Sequence, residues 1–278
     1  MSLFIASLNS GSNGNCYYVG SENDAVLVDA GISCREVETR MKRLKLAIEN
    51  VRAIFISHEH SDHIRGLSSL SRKYNLPVYV SEGTLRSGEF YIDKHLIRHF
   101  DDTDAVPFGD LYVRAFGKHH DAADPYSFTV TRRHVVVGVF TDIGRPCDRL
   151  VHHFSRCHAA FLEANYDTDM LDKGRYPYFL KQRIRGGNGH LSNQQALDLV
   201  LQHRPAYMSH LLLAHLSENN NCPKLVADMF SGLAEDLHVV VASRHAESPL
   251  FEISSMQKVT TMPDLPSYTP PQLELLFE

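Results

Sequence analysis

Tryptophan is missing from this 278-residue chain and cysteine is scarce: Cys16, Cys34, Cys147, Cys157 and Cys222 are scattered, with no CxxC pair. An odd number of dispersed thiols argues against a disulfide framework, offers no thiolate cage for a metal, and fits a reducing cytosol. Long apolar runs are missing too, since none approaches the roughly 20 residues that cross a bilayer. The opening MSLFIASLNSGSNGN has neither a basic leader nor an extended apolar core, so a cytoplasmic protein with no membrane partner and no secretory signal is expected. Positive charge is not in excess: a net charge of -5 and a pI near 6.4 argue against nonspecific coating of nucleic acid, though not against a local basic groove.

What is present is a succession of short β-branched runs. LFIASL, CYYVG, AVLVDA, VRAIFIS and LPVYVS each close on Gly, Asn, Asp or Ser and predict strands. Between them, SCREVETRMKRL (33–44) has helical spacing behind a Ser cap, and IRGLSSLSRKY (64–74) predicts a second helix. A similar order returns in LYVRAF, YSFTVT and HVVVGVFTD, followed by a helix near PCDRLVHHF. LSNQQALDLVLQHR (191–204) predicts a helix with Ser192 as N-cap and Gln195 completing a capping box. AYMSHLLLAHLS supplies a strand and loop, NNCPKLVADMFSGLAED a further helix, and HVVVAS with PLFEIS a last strand pair. The expected architecture is therefore α/β (α+β), two βαβ-containing halves packed as one domain over 1–255, with a Pro-rich tail over 256–278.

Seventeen histidines are many for this length, and their clustering matters more than their number. In FISHEHSDHIRG a strand ends and the chain turns towards a helix through His58, His60, Asp62 and His63. His58 and His60, two apart, can aim at one metal, while Asp62 and His63 aim at a second point a few ångström away. Nitrogen and carboxylate donors without thiolate suit Zn, Mn or Fe. Four ligands cannot fill two sites, so partners are expected at other strand ends. VRAFGKHHD offers His120, which precedes Asp121, or else His119; VVVGVFTDIG ends in Asp142, whose two oxygens can bridge two ions; LLLAHLS ends in His215.

HEHSDH, then His120, TDIG and AHLS, in that order and after AVLVDAG, resemble the metallo-β-lactamase superfamily. The resemblance implies an αβ/βα four-layer sandwich of two mixed β-sheets flanked by helices. More narrowly, SLNSGSNGNCYYVG, VDAGISCREVETRM, HHDAADP, KGRYPYFLKQRIRGGNGHLSN and AHLSENNN resemble its YycJ/WalJ branch. That branch implies a metal-dependent nuclease acting on double-stranded DNA from the 5′ end. The order FLEANYD, GHLSN, AHLS is also similar to tRNase Z, which implies that Glu163 and His190 form a catalytic pair. The sequence departs from the antibiotic-degrading lactamases, which use a thiolate where Asp142 stands, and from flavodi-iron proteins, which place a Glu where His60 stands. The chain between Asp142 and His215 is too short for the inserted domain of β-CASP nucleases.

The expected chemistry is hydrolysis at two divalent ions, Zn or Mn with Fe as an alternative, sharing a hydroxide made accessible because metal binding lowers the pKa of water to roughly 7. Asp62 would ligate and orient the nucleophile, and His190 would serve the leaving oxygen. Lys181, Arg183 and Arg185 in KQRIRGG are candidate phosphate contacts, with a solvated helix end as the plainer alternative. Asn13, in the loop NSGSNGNC, is a further candidate for substrate binding, although a tight turn on the rim of the site explains that loop without a ligand. Thioester or lactone hydrolysis and a non-catalytic metal-binding regulatory protein are the rival readings. The terminal QLELLF (272–277) resembles the Q-L-x-L peptides with which bacterial DNA-repair and replication enzymes dock on the sliding clamp, which implies the clamp as a partner.

Overall fold

The structure is a computed structural model that describes residues 2–233 and 237–255. The terminal QLELLF lies outside the described residues. β1 (Ser2–Asn9), β2 (Cys16–Gly20), β3 (Ala25–Val28), β4 (Val51–Phe55), β5 (Val78–Tyr79) and β6 (Ile97–Arg98) build one sheet. β7 (Ala105–Phe108), β8 (Leu111–Gly117), β9 (Tyr126–Arg132), β10 (Val135–Phe140), β11 (Ala159–Glu163), β12 (His210–Ala214) and β13 (His238–Val241) build the other. β14 (Phe251–Ser254) returns to the first sheet and pairs antiparallel with β1. Both sheets are mixed: β1, β2 and β3 run antiparallel and β3 to β6 parallel, while β7 to β10 run antiparallel and β10 to β13 parallel.

Alternation along the strands explains the layering. Leu3, Ile5, Val26, Val28 and Phe55 face inward, where they meet Val113, Phe128, Val137 and Phe161 of the opposite sheet. Their neighbours Leu8, Ala25, Leu27 and Ile54 face outward, under α1 (Cys34–Arg43) and the helices after β4. Phe140, Ala160, Leu162, Leu211 and Leu213 do the same on the far side. Strands buried on both faces need apolar residues at nearly every position, which is why they stand out as continuous runs.

After β4 the expected single helix is two, α2 (Ser61–Ile64) and α3 (Leu67–Tyr74), then α4 (Glu82–Ser87). The break falls at Gly66, where a Cβ would lie 1.9 Å from the Ile32 carbonyl oxygen, so the chain must pass this loop as glycine. Between the strands β10 to β13 of the second sheet lie α5 (Asp148–Phe154), α6 (Thr168–Lys173), α7 (Tyr178–Arg185), α8 (Asn193–His203) and α9 (Pro223–Phe230). The Ser192 and Gln195 capping box forms as expected. The last two strands are not a pair: β13 lies parallel to β12 on one sheet and β14 antiparallel to β1 on the other. Hydrophobic pattern identifies a strand but not the sheet it joins.

Candidate active site

β3, β4, β8, β10, β11 and β12 all end on one rim of the sandwich, and each delivers polar side chains there. Three strand-end residues, Asp29, Asp142 and His215, take left-handed backbone conformations with φ of 63°, 54° and 55°. A non-glycine residue in that region costs about 1–3 kcal/mol and persists only where surrounding contacts enforce it. Here the contacts are explicit: Asp29 accepts from the Ser57 amide at 2.8 Å, and the His215 amide donates to Ser10 Oγ at 2.7 Å.

His58, His60 and His120 form a first group that could hold a metal. Nε2 of His58 lies 3.0 Å, and Nε2 of His120 3.4 Å, from Nδ1 of His60. His120 turns its other ring nitrogen to the Gly189 carbonyl at 3.0 Å, which leaves Nε2 with the lone pair. Burial holds His58 well below its ordinary range and His120 down to about 4, so both imidazoles are neutral and ready to donate to a cation. Of the two histidines offered by KHH, it is the buried ring of His120 that joins His58 and His60.

Asp62, His63 and His215 form the second group. Nε2 of His215 is 3.3 Å and Nε2 of His63 3.5 Å from Asp62 Oδ2. Asp142 stands between the groups: Oδ1 is 3.7 Å from His120 and 3.5 Å from His215, and Oδ2 is 3.2 Å from His63. Oδ2 is buried yet makes no hydrogen bond among the described residues. An orphaned carboxylate oxygen surrounded by imidazoles is what a cation site presents, so the residues fit a divalent metal.

Electrostatics of the polypeptide alone agree. Burial opposes ionisation of Asp142, but the His215 and His63 imidazoles hold it well below the usual carboxylate range. Burial likewise opposes charge on His215, yet Asp142 and hydrogen bonds to Asp62 and Glu163 lift it to about 10. Protons kept only by surrounding carboxylates are protons that a divalent cation displaces.

Glu163, fully buried, organises the next layer. Its Oε2 accepts from the Ile143 and Leu191 amides at 2.7 and 3.1 Å, while Oε1 lies 2.8 Å from His190 Nδ1 and 3.0 Å from His215 Nδ1. His190 therefore turns Nε2 to the cleft, its side chain 22% exposed. Burial alone would raise the Glu163 pKa, but His190 and these hydrogen bonds bring it to about 2 from an ordinary 4.5. A depressed carboxylate stabilises the fold above its unfolded pKa and ceases to do so as pH falls through the folded one. The melting temperature of chelator-treated protein should thus exceed that of Glu163→Gln fully above pH 4.5, with the gap shrinking towards pH 2. A gap independent of pH over that range would refute the assignment.

Several residues that position the site escaped sequence reading. Asp29 Oδ2 receives His63 Nδ1 at 2.7 Å and Ser57 Oγ at 2.9 Å; its VDAG setting, an acid closing an apolar strand before glycine, carries the same signal as TDIG. Asn15 donates to Asp62 Oδ2 at 3.2 Å and is itself held by the Gly11 amide and Tyr17 hydroxyl. Asn165 donates to the His215 carbonyl at 2.8 Å. Gly31 lies so close to this layer that a Cβ would sit 1.7 Å from the Asp62 carbonyl oxygen. Gly31→Ala should displace the Asp62 loop and lower metal occupancy by roughly 10- to 100-fold in affinity, measured by competition with a chelating dye.

The candidate substrate contacts divide. Arg183 lines a cleft of about 180 Å³ with Ser12, Leu180, Ile184 and His190, and pairs with Asp121. Lys181 and Arg185 both turn to Asp172, Lys181 donating to its carbonyl at 2.8 Å. Asn13 gives its amide to the Arg244 carbonyl at 2.8 Å, and Ser12 stands at the rim instead. Arg145, not singled out from sequence, is exposed beside Gly187.

Known proteins share this frame. The Metallo-beta-lactamase superfamily is matched over residues 10–143. The chain is 38% identical over 241 residues to Exodeoxyribonuclease YycJ of Bacillus anthracis, covering 85% of this chain and 90% of that one. It is 32% identical over 259 residues to Exodeoxyribonuclease WalJ of Streptococcus pneumoniae serotype 2, covering 88% and 96%. Its fold matches the metallo-beta-lactamase fold protein YhfI from Bacillus subtilis with a TM-score of 0.71 at 16% identity, over 91% of this chain and all of that one. The short form of human tRNase Z follows with a TM-score of 0.60 at 17% identity, over 88% and 98%. A sandwich of two mixed sheets with histidine and aspartate clusters at its strand ends is thus the scaffold of a metal-dependent hydrolase. The chain belongs to the metallo-β-lactamase superfamily and is YycJ/WalJ-like.

Proposed function

We propose that the protein is a binuclear metal-dependent phosphodiesterase that degrades DNA exonucleolytically from 5′ ends. The observation that carries this reading is the bridging position of Asp142 between two ligand groups, with His190 and Arg183 at the mouth of the same cleft. The names of the two relatives above supply the substrate class. His58, His60 and His120 would hold one ion, Asp62, His63 and His215 the other, and Asp142 both. Bound divalent cations, Zn or Mn with Fe as an alternative, supply Lewis acidity and lower the pKa of water.

The chain's own groups complete the reaction. Asp62, with a side chain 18% exposed, borders the cleft and orients the attacking water. His190, aligned by Glu163, donates a proton from Nε2 to the departing oxygen. Arg183 neutralises a phosphate flanking the scissile one.

Purified protein supplied with Mn or Zn, and assayed on 5′- and 3′-labelled single- and double-stranded DNA and RNA, tests the proposal. Mononucleotide release from the 5′ end of duplex DNA is expected. Hydrolysis of a thioester or lactone with every oligonucleotide left intact would overturn it, and two bound ions without any hydrolysis would point to a regulatory metal protein.

A further inference from the structure

α7 stands over the cleft and buries none of its own residues. Leu180, Arg183 and Ile184, spaced three and four apart, line the cleft from one face of the helix. Its first turn carries Tyr178 and Phe179, which are 77% and 73% exposed. They are more exposed than any other large apolar side chain among the described residues, and they are adjacent. Tyr91, another exposed aromatic, is partnered by Arg72, whose guanidinium carbon lies 5.6 Å from its ring centre. Phe179 precedes Arg183 by one helical turn, so the ring and the guanidinium are neighbours on the helix surface, roughly 6 Å apart along the axis.

Exposed rings of this size are unfavourable in water unless something covers them. The surroundings say what that is. Arg183, which lines the cleft and pairs there with Asp121, sets a guanidinium one turn from Phe179, and an aromatic surface beside a cation complements a polyanion that also presents flat apolar faces. A single strand of nucleic acid has both properties, since phosphates track the cations while bases stack on aromatic side chains irrespective of sequence. A terminal nucleotide must leave its duplex stack to bring its phosphodiester into a cleft of about 180 Å³, and rings beside the entrance would accept the unstacked base.

We propose that Tyr178 and Phe179 form a stacking platform for nucleobases of the strand whose phosphodiester enters the cleft. The platform rests on the nuclease reading above and adds to it a base-binding surface outside the metal centre.

The test compares an oligonucleotide with one of identical backbone in which the nucleotides nearest the cleaved end carry tetrahydrofuran abasic residues. The intact enzyme should prefer the base-bearing strand, by roughly 10-fold in kcat/KM for each stacked base. In the double variant Tyr178→Ala/Phe179→Ala that preference should fall close to unity, chiefly through KM, and Tyr178→Phe should retain it. A preference unchanged in the double variant would overturn the platform and point to a protein partner or a second copy of the chain on these rings. Equal losses on both strands would overturn it in favour of a structural role for the helix end. Hydrolysis of small diesters but of no oligonucleotide by the intact enzyme would overturn the nuclease reading, and the platform with it.

Discussion

Asp142→Asn should abolish turnover, lowering kcat by roughly 1,000-fold or more, because several kcal/mol of transition-state charge stabilisation depend on the cations it would share. The substitution keeps the volume of the side chain and removes its negative charge. One amide oxygen cannot serve both ligand groups, whereas the carboxylate reaches His63 through Oδ2 and His120 with His215 through Oδ1. Metal content, measured by plasma mass spectrometry on dialysed protein, should fall below two ions per chain. His60→Ala should act similarly on the other group, since His60 lies between His58 and His120. Asp29→Asn should cost less, roughly 10- to 100-fold in metal affinity, because Asp29 holds the His63 ring and lies outside the groups that could bind a metal. Two ions and intact cleavage in Asp142→Asn would sink the binuclear assignment.

His190→Ala should lower kcat by roughly 100- to 10,000-fold while leaving metal content at the level of the parent protein. The ring is held to Glu163 at 2.8 Å through Nδ1, which leaves Nε2 towards the cleft that His190 lines. A group that protonates a departing alkoxide matters less when the leaving group needs no proton. The loss should therefore be large on DNA and much smaller on a p-nitrophenyl ester of a nucleotide. Equal losses on both substrates would show that His190 binds the substrate or a metal and does not act as the general acid.

HEHSDH points to a metal site because four donors fall within six positions, and strand runs ending in His120, Asp142 and His215 bring further donors to the same cluster. Local spacing carries that information: donors close in sequence must converge, and a strand end is marked by its apolar run. The capping box at Ser192 is legible for the same reason, since all its atoms belong to one turn. KQRIRGG shows the limit. Its three cations look equivalent in sequence, but Asp172 engages Lys181 and Arg185 while Arg183 reaches the cleft.

Periodicity by itself pointed to two βαβ-containing halves, the resemblance carried by the motifs implied the two-sheet sandwich, and donor spacing singled out the seven candidate ligands, because each of those signals lies in short contiguous stretches. Tertiary structure alone decided which strands are neighbours, that one carboxylate, Glu163, orients both His190 and His215, and that Asp29 and Asn15 hold His63 and Asp62 in place. Those are contacts between side chains 27 to 52 positions apart. Hydrogen bonds over such separations depend on how strands cross in space, and no local pattern in the chain records that.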